Sequence, residues 1–108
     1  MAFVESNISF SGLKEIHPDD RQKIKEIIYT KYIFIERELG KINAFKFYCK
    51  THVKGGKKKY SIHLLIDSPK GIFTVDHVAE PSEWDPVAIV HMVINKARDE
   101  IKHKLKIT

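Results

Sequence analysis

Carboxylates are missing from this chain between Glu38 and Asp67, a stretch that holds Lys41, Lys46, Lys50, Lys54, Lys57, Lys58 and Lys59. A surface built without acids over that length calls for an anionic partner. Cysteine is nearly absent as well. The lone Cys49 excludes an internal disulfide, fits a reducing cytoplasm, and reads as a small core residue on the apolar parity of its strand. No apolar run approaches the ~20 residues of a membrane-spanning helix, and the opening Met-Ala-Phe-Val-Glu-Ser lacks the basic and long apolar regions of a signal peptide. HExxH, CxxC, P-loop and Gly-x-Ser-x-Gly patterns do not occur, nor does an internal repeat, linker or low-complexity tract.

What is present fits one domain over residues 1–108, large enough for one two-layer core and too small for a second. Nineteen Lys and Arg against fourteen Asp and Glu leave a net charge of +5 and a sequence pI near 9.3. That balance favours nucleic acid or, as the weaker option, an anionic membrane surface over an acidic small molecule. In the acid-free stretch, lysines alternate with Phe45, Phe47, Cys49 and Val53, the period of a strand with one buried and one exposed face. A one-sided lysine row can follow a phosphate backbone; its plainer reading is a solvated face that maintains solubility.

The pattern of elements is regular. Asn7 to Ser11 reads as a short strand ended by Gly12. His17-Pro18-Asp19-Asp20 starts a helix that runs to Leu39, with Ile24, Ile28, Ile35 and Leu39 on its core face and Gly40 as its stop. Tyr29 and Ile33 fall away from that core face. Ile42 to Lys54 and Lys59 to Asp67 form a hairpin around Gly55-Gly56, and Ile72 to Ala79 follows the turn Ser68-Pro69-Lys70-Gly71. Asp85 and Pro86 then open a last helix that packs through Ile89, Val90, Val93, Ile94, Ala97 and Ile101. Its outer stripe is His91, Asn95, Arg98, Lys102 and Lys106. The fold class is therefore α+β in the order β-α-β-β-β-α, a four-stranded antiparallel meander with two helices on one face.

That order resembles a double-stranded-RNA-binding domain with an added first strand. The chemistry differs, because Glu80, Glu83 and Asp85 precede the second helix where that module grips phosphate. Asn7-Ile8-Ser9-Phe10-Ser11-Gly12, Tyr60-Ser61-Ile62-His63-Leu64 and the stretch from Trp84-Asp85 through Ala88-Ile89 to Lys96-Ala97 are similar to the ribosome hibernation promoting factor family, also called ribosomal subunit interface proteins. The resemblance spans nearly the whole chain and implies a short-form factor that binds the small ribosomal subunit in the channel of messenger and transfer RNA and silences translation. It carries a basic role onto Lys96 and, by charge and face, onto Arg98, Lys102 and Lys104. Val90 stands where members usually carry Asp, and Asp99-Glu100 where many carry Arg-Gln.

The RNA-binding candidates are thus Lys46, Tyr48, Lys50, Lys54, Lys57, Lys58 and Lys59 on the hairpin, with Lys96, Arg98, Lys102, Lys104 and Lys106 on the last helix. Tyr48 lies between Lys46 and Lys50 on the exposed parity, where its ring can stack on an unpaired base or shield its neighbours' aliphatic stems. Trp84 reads as a lid on the core. Two other classes remain open. His52, His63 and His77, one on each of three strands, would be metal ligands with Asp67 or Asp76 if they shared the outer face. Tyr29 and Ile33 would anchor a protein partner. The expectation is a monomeric, cytoplasmic, non-enzymatic protein whose partner is ribosomal RNA of the small subunit, with no cofactor, small-molecule substrate or membrane.

Overall fold

The computed structural model describes residues 7–79 and 85–105, apart from the side chains of Glu15, Lys54, Lys57 and Lys58. Strand β1 (Ile8–Ser11) leads through a 3-10 turn at Leu13–Glu15 to helix α1 (Pro18–Leu39). Strands β2 (Ala44–Lys54), β3 (Lys57–Ser68) and β4 (Gly71–Ala79) follow, and helix α2 (Pro86–Leu105) ends the described chain. The expected element order is observed. Neither helix is long and apolar enough to cross a membrane.

Local chemistry fixes both ends of α1. Pro18 supplies a preset φ at the first turn, and Nδ1 of His17 accepts the Asp19 N–H at 3.2 Å. Gly40, at φ 80°, closes the helix by donating its N–H to the Glu36 carbonyl at 2.7 Å. Helix α2 opens as its sequence indicates: Asp85 accepts the Ala88 N–H on Oδ1 at 3.2 Å and the Ile89 N–H on its carbonyl at 2.9 Å.

The sheet has the order β1-β2-β3-β4. Strands β2, β3 and β4 form the antiparallel meander, but β1 pairs with β2 in parallel. The 22 residues of α1 return the chain to the end of the sheet it left, so the strand that follows runs the same way as the one before. Asn7 secures this crossover: its Nδ2 donates to the Tyr32 hydroxyl at 2.6 Å and to the Ile42 carbonyl at 2.7 Å.

Both helices cover one face of the sheet. Phe45, Phe47 and Cys49 of β2, Ile62, Leu64 and Ile66 of β3, and Phe73, Val75 and Ala79 of β4 point into the layer filled by Ile24, Ile28, Tyr32, Ile35 and Leu39 of α1. From α2 it receives Ile89, Val90, Val93, Ile94, Ala97 and Ile101. Burying a side chain such as Phe45 contributes roughly 1.5–3 kcal/mol. Val90 is fully buried, so a carboxylate here would be drawn into the core without water, which accounts for valine at this position. The 3-10 turn escaped the sequence reading. It follows Gly12, whose φ of 76° suits glycine and whose Cα lies so close to β2 that a Cβ would sit 1.9 Å from the Cys49 carbonyl oxygen.

Candidate nucleic-acid interface

Because the helices take one face, alternation along the strands places every second residue on the other. Among the described residues no element covers that outer face. On β2 it carries Lys46, Tyr48, Lys50 and His52, with Lys46 and Lys50 exposed. Lys59 joins them from β3, exposed and directly across from His52. The backbone pairs Lys54 with Lys57 and Val53 with Lys58 at the hairpin tip, while the side chains of Lys54, Lys57 and Lys58 lie outside the described residues. Acids on this face are Asp67, opposite Ala44 at the far end of β2, and Asp76 on β4. Positive charge is therefore concentrated toward the hairpin.

At the centre of the face the register lines up Tyr48, His63 and Asp76 across three strands. The tyrosine and histidine rings stack with centroids 4.5 Å apart and planes 16° from parallel. Nδ1 of His63 hydrogen-bonds Oδ1 of Asp76, an orienting contact that holds the imidazole against the phenol ring. Lys50 places its Nζ 5.6 Å from the Tyr48 centroid. The result is a two-ring stack bordered by ammonium groups; one face of Tyr48 is taken by His63, so a base can add only to an outer face of the stack, where it would meet Lys50. His52 is held separately, its Nε2 3.1 Å from the Ser61 hydroxyl.

The three strand histidines do not converge. His52 and His63 are on the outer face, whereas His77 pairs with Ile62 on the core parity. Among the described residues no group of three His, Cys, Asp or Glu side chains is placed to hold a metal ion.

On α2 the candidate cations have different fates. Lys96 and Lys102 are exposed. Lys104 is exposed too, with its Nζ 5.4 Å from the Phe73 ring centroid, and Lys106 falls outside the described residues. Arg98 is committed to the fold: its Nε and Nη2 both donate to Oε1 of Glu38 on α1 at 3.1 Å, and its guanidinium stands 5.8 Å from the Phe34 centroid. This pair joins the two helices. The α2 lysines alternate with exposed Asp99 and Glu100 and belong to the helical side of the molecule, so the two groups of candidate cations do not form one surface.

Tyr29 meets Phe10 of β1 edge-on, with centroids 5.9 Å apart, so the ring left outside on α1 is Phe34, 41 % exposed. Lys31 and Arg37 flank it at 5.7 and 5.9 Å. An aromatic residue off the core face with basic residues three positions before and after it is the sequence signal for this cluster. Trp84 lies outside the described residues. No protein-family model matches this chain, and no curated protein matches it.

Proposed function

We propose that this chain is a non-enzymatic RNA-binding protein that occupies the small ribosomal subunit and lowers translation, using the outer face of its sheet as the principal contact. The observation that carries this reading is the separation of charge. Lys46, Lys50 and Lys59 stand together on the open face beside the Tyr48–His63 stack, whereas acids and bases are mixed along α2. Each lysine that meets a phosphate releases condensed counterion, which gives affinity without reading sequence. Specificity then comes from fit to a preformed RNA cavity and from an unpaired base on the ring platform. The small subunit as target, and a silencing effect on translation in the cytoplasm, are supported by the likeness of the first strand, third strand and second helix to hibernation factors.

Sucrose-gradient sedimentation of cell extract tests the target. The chain should comigrate with small subunits or monosomes at low salt and leave them as monovalent salt rises from about 50 to 200 mM, a range that lowers phosphate-driven affinity at least tenfold. A chain found only at the top of the gradient at every salt concentration would refute the assignment.

A further inference from the structure

Strand β4 is one edge of the sheet, and among the described residues nothing pairs with its free side. Proteins commonly guard such an edge with lysine, proline, a bulge or a very short strand. The opposite edge is guarded in that way, since β1 has only four residues. β4 has nine, contains no lysine or proline, and keeps an unbroken register with β3. Its outer parity is Ile72, Thr74, Asp76 and Val78. Ile72 and Val78 are 61 % and 57 % exposed, among the most exposed large apolar residues described.

We infer that β4 pairs antiparallel with β4 of a second copy of this chain about a two-fold axis through Val75, joining two sheets into one of eight strands. The order of residues on the strand argues for this occupant. With Val75 opposite its own copy, Ile72 faces Val78 of the partner and Val78 faces Ile72, so each exposed apolar side chain is covered by the other. Thr74 meets the Asp76 carboxylate in the same ladder, on the same face, as antiparallel pairing requires. The strand is thus complementary to itself, the condition for an isologous interface. The lysine row of β2 does not extend to this edge, since β4 has no lysine and the groove between β4 and α2 is lined by Ile72, Phe73, Asp99, Glu100, His103 and Lys104. The two Asp76 carboxylates lie diagonally across the axis, a like-charge contact that the apolar pairs must outweigh.

The consequence bears on RNA. Because the sheet is continuous, both lysine faces lie on the same side of it, turned relative to each other by the accumulated strand twist, with the two β2 strands roughly 24 Å apart across five strand spacings. One dimer would offer two linked phosphate-binding surfaces, so its second contact forms at high effective concentration. A dimer differs from the monomer expected from the sequence, and the inference stands independently of the ribosomal assignment.

Sedimentation velocity of the purified full chain without RNA, from about 1 to 200 µM, covers the range in which a small interface assembles. The 12.6 kDa chain should shift to twice its mass. Ile72→Lys with Val78→Lys should raise the dissociation constant at least 30-fold with an unchanged circular-dichroism spectrum. Val53→Lys, at a still more exposed valine of β2, should leave it unaltered. Hydrogen exchange of wild-type protein reads the same contact without any variant, since β4 amides should gain protection as concentration rises. A chain that stays monomeric throughout, a dimer that survives the double substitution or yields equally to Val53→Lys, or β4 amides whose exchange ignores concentration would each overturn the inference.

Discussion

Replacing Lys46 and Lys50 with glutamine is the sharpest perturbation of the proposed interface, because both side chains are exposed on one face of β2 and neither enters the core. Folding stability should therefore change by no more than about 0.5 kcal/mol. Binding should change by much more. With about 0.8 counterion released per phosphate contact, two contacts account for roughly 1.6 units of the slope of log affinity against log salt. The same arithmetic weakens binding about 20-fold at 150 mM salt and about 120-fold at 50 mM. Fluorescence anisotropy with small-subunit RNA, titrated at four salt concentrations for wild type and variant, measures both quantities. Lines that converge toward high salt are the expected result. Parallel lines, displaced or not, would mean that these lysines touch no phosphate and would sink the sheet-face model, whatever the α2 lysines contribute.

Three further outcomes separate stacking, helix packing and backbone approach. Tyr48→Ala should cost about 1–3 kcal/mol in affinity for single-stranded RNA at an unchanged salt slope, because it removes a ring and no charge; an altered slope in anisotropy titrations would contradict this. Arg98→Ala should destabilise the fold by about 1–3 kcal/mol in urea melts, since Glu38, whose side chain is 16 % exposed and whose Oε2 is already buried without a hydrogen-bond partner among the described residues, loses the counter-charge that Arg98 supplies. RNA affinity of the folded Arg98→Ala fraction should stay near that of wild type. Gly12→Ala should cost upward of about 2 kcal/mol, because it combines a left-handed residue with a Cβ 1.9 Å from the Cys49 carbonyl; a thermal melt at the wild-type midpoint would show that β1 and β2 can part cheaply.

The fold was legible because its punctuation is chemical. Pro18, Gly40 and Asp85 mark helix ends through a fixed φ, a left-handed cap and a side-chain acceptor, and each performs that task in the structure. Strand parity was equally clear, since Phe45, Phe47, Ile62, Leu64 and Ile66 are all buried. Pairing direction was less accessible: the parallel β1–β2 ladder follows from the path of α1, which no local pattern in Asn7 to Ser11 encodes.

The candidate site was only half legible, and its two missed features have different causes. Arg98 lies on the polar stripe of α2 by helical period, yet it borders α1 and pairs with Glu38, sixty residues away in the chain. A single-helix projection assigns a face, not the neighbour that occupies it. A charge reversal at Arg98 would consequently confuse lost folding with lost binding, so Lys96 and Lys102 are the better probes of α2. The Tyr48–His63–Asp76 row, by contrast, was derivable. Two-residue turns close the hairpins with Lys54 opposite Lys57 and Ser68 opposite Gly71, and turn length fixes register all along the strands. Six residues back from the first closing pair bring Tyr48 opposite His63, and five residues from the second bring His63 opposite Asp76. The same count sends His77 to the core parity opposite Ile62, which separates it from His52 and His63. The glycines and proline that shape the turns thus determine which side chains meet on the open face, and the ring platform owes its geometry to hairpin length as much as to the residues that form it.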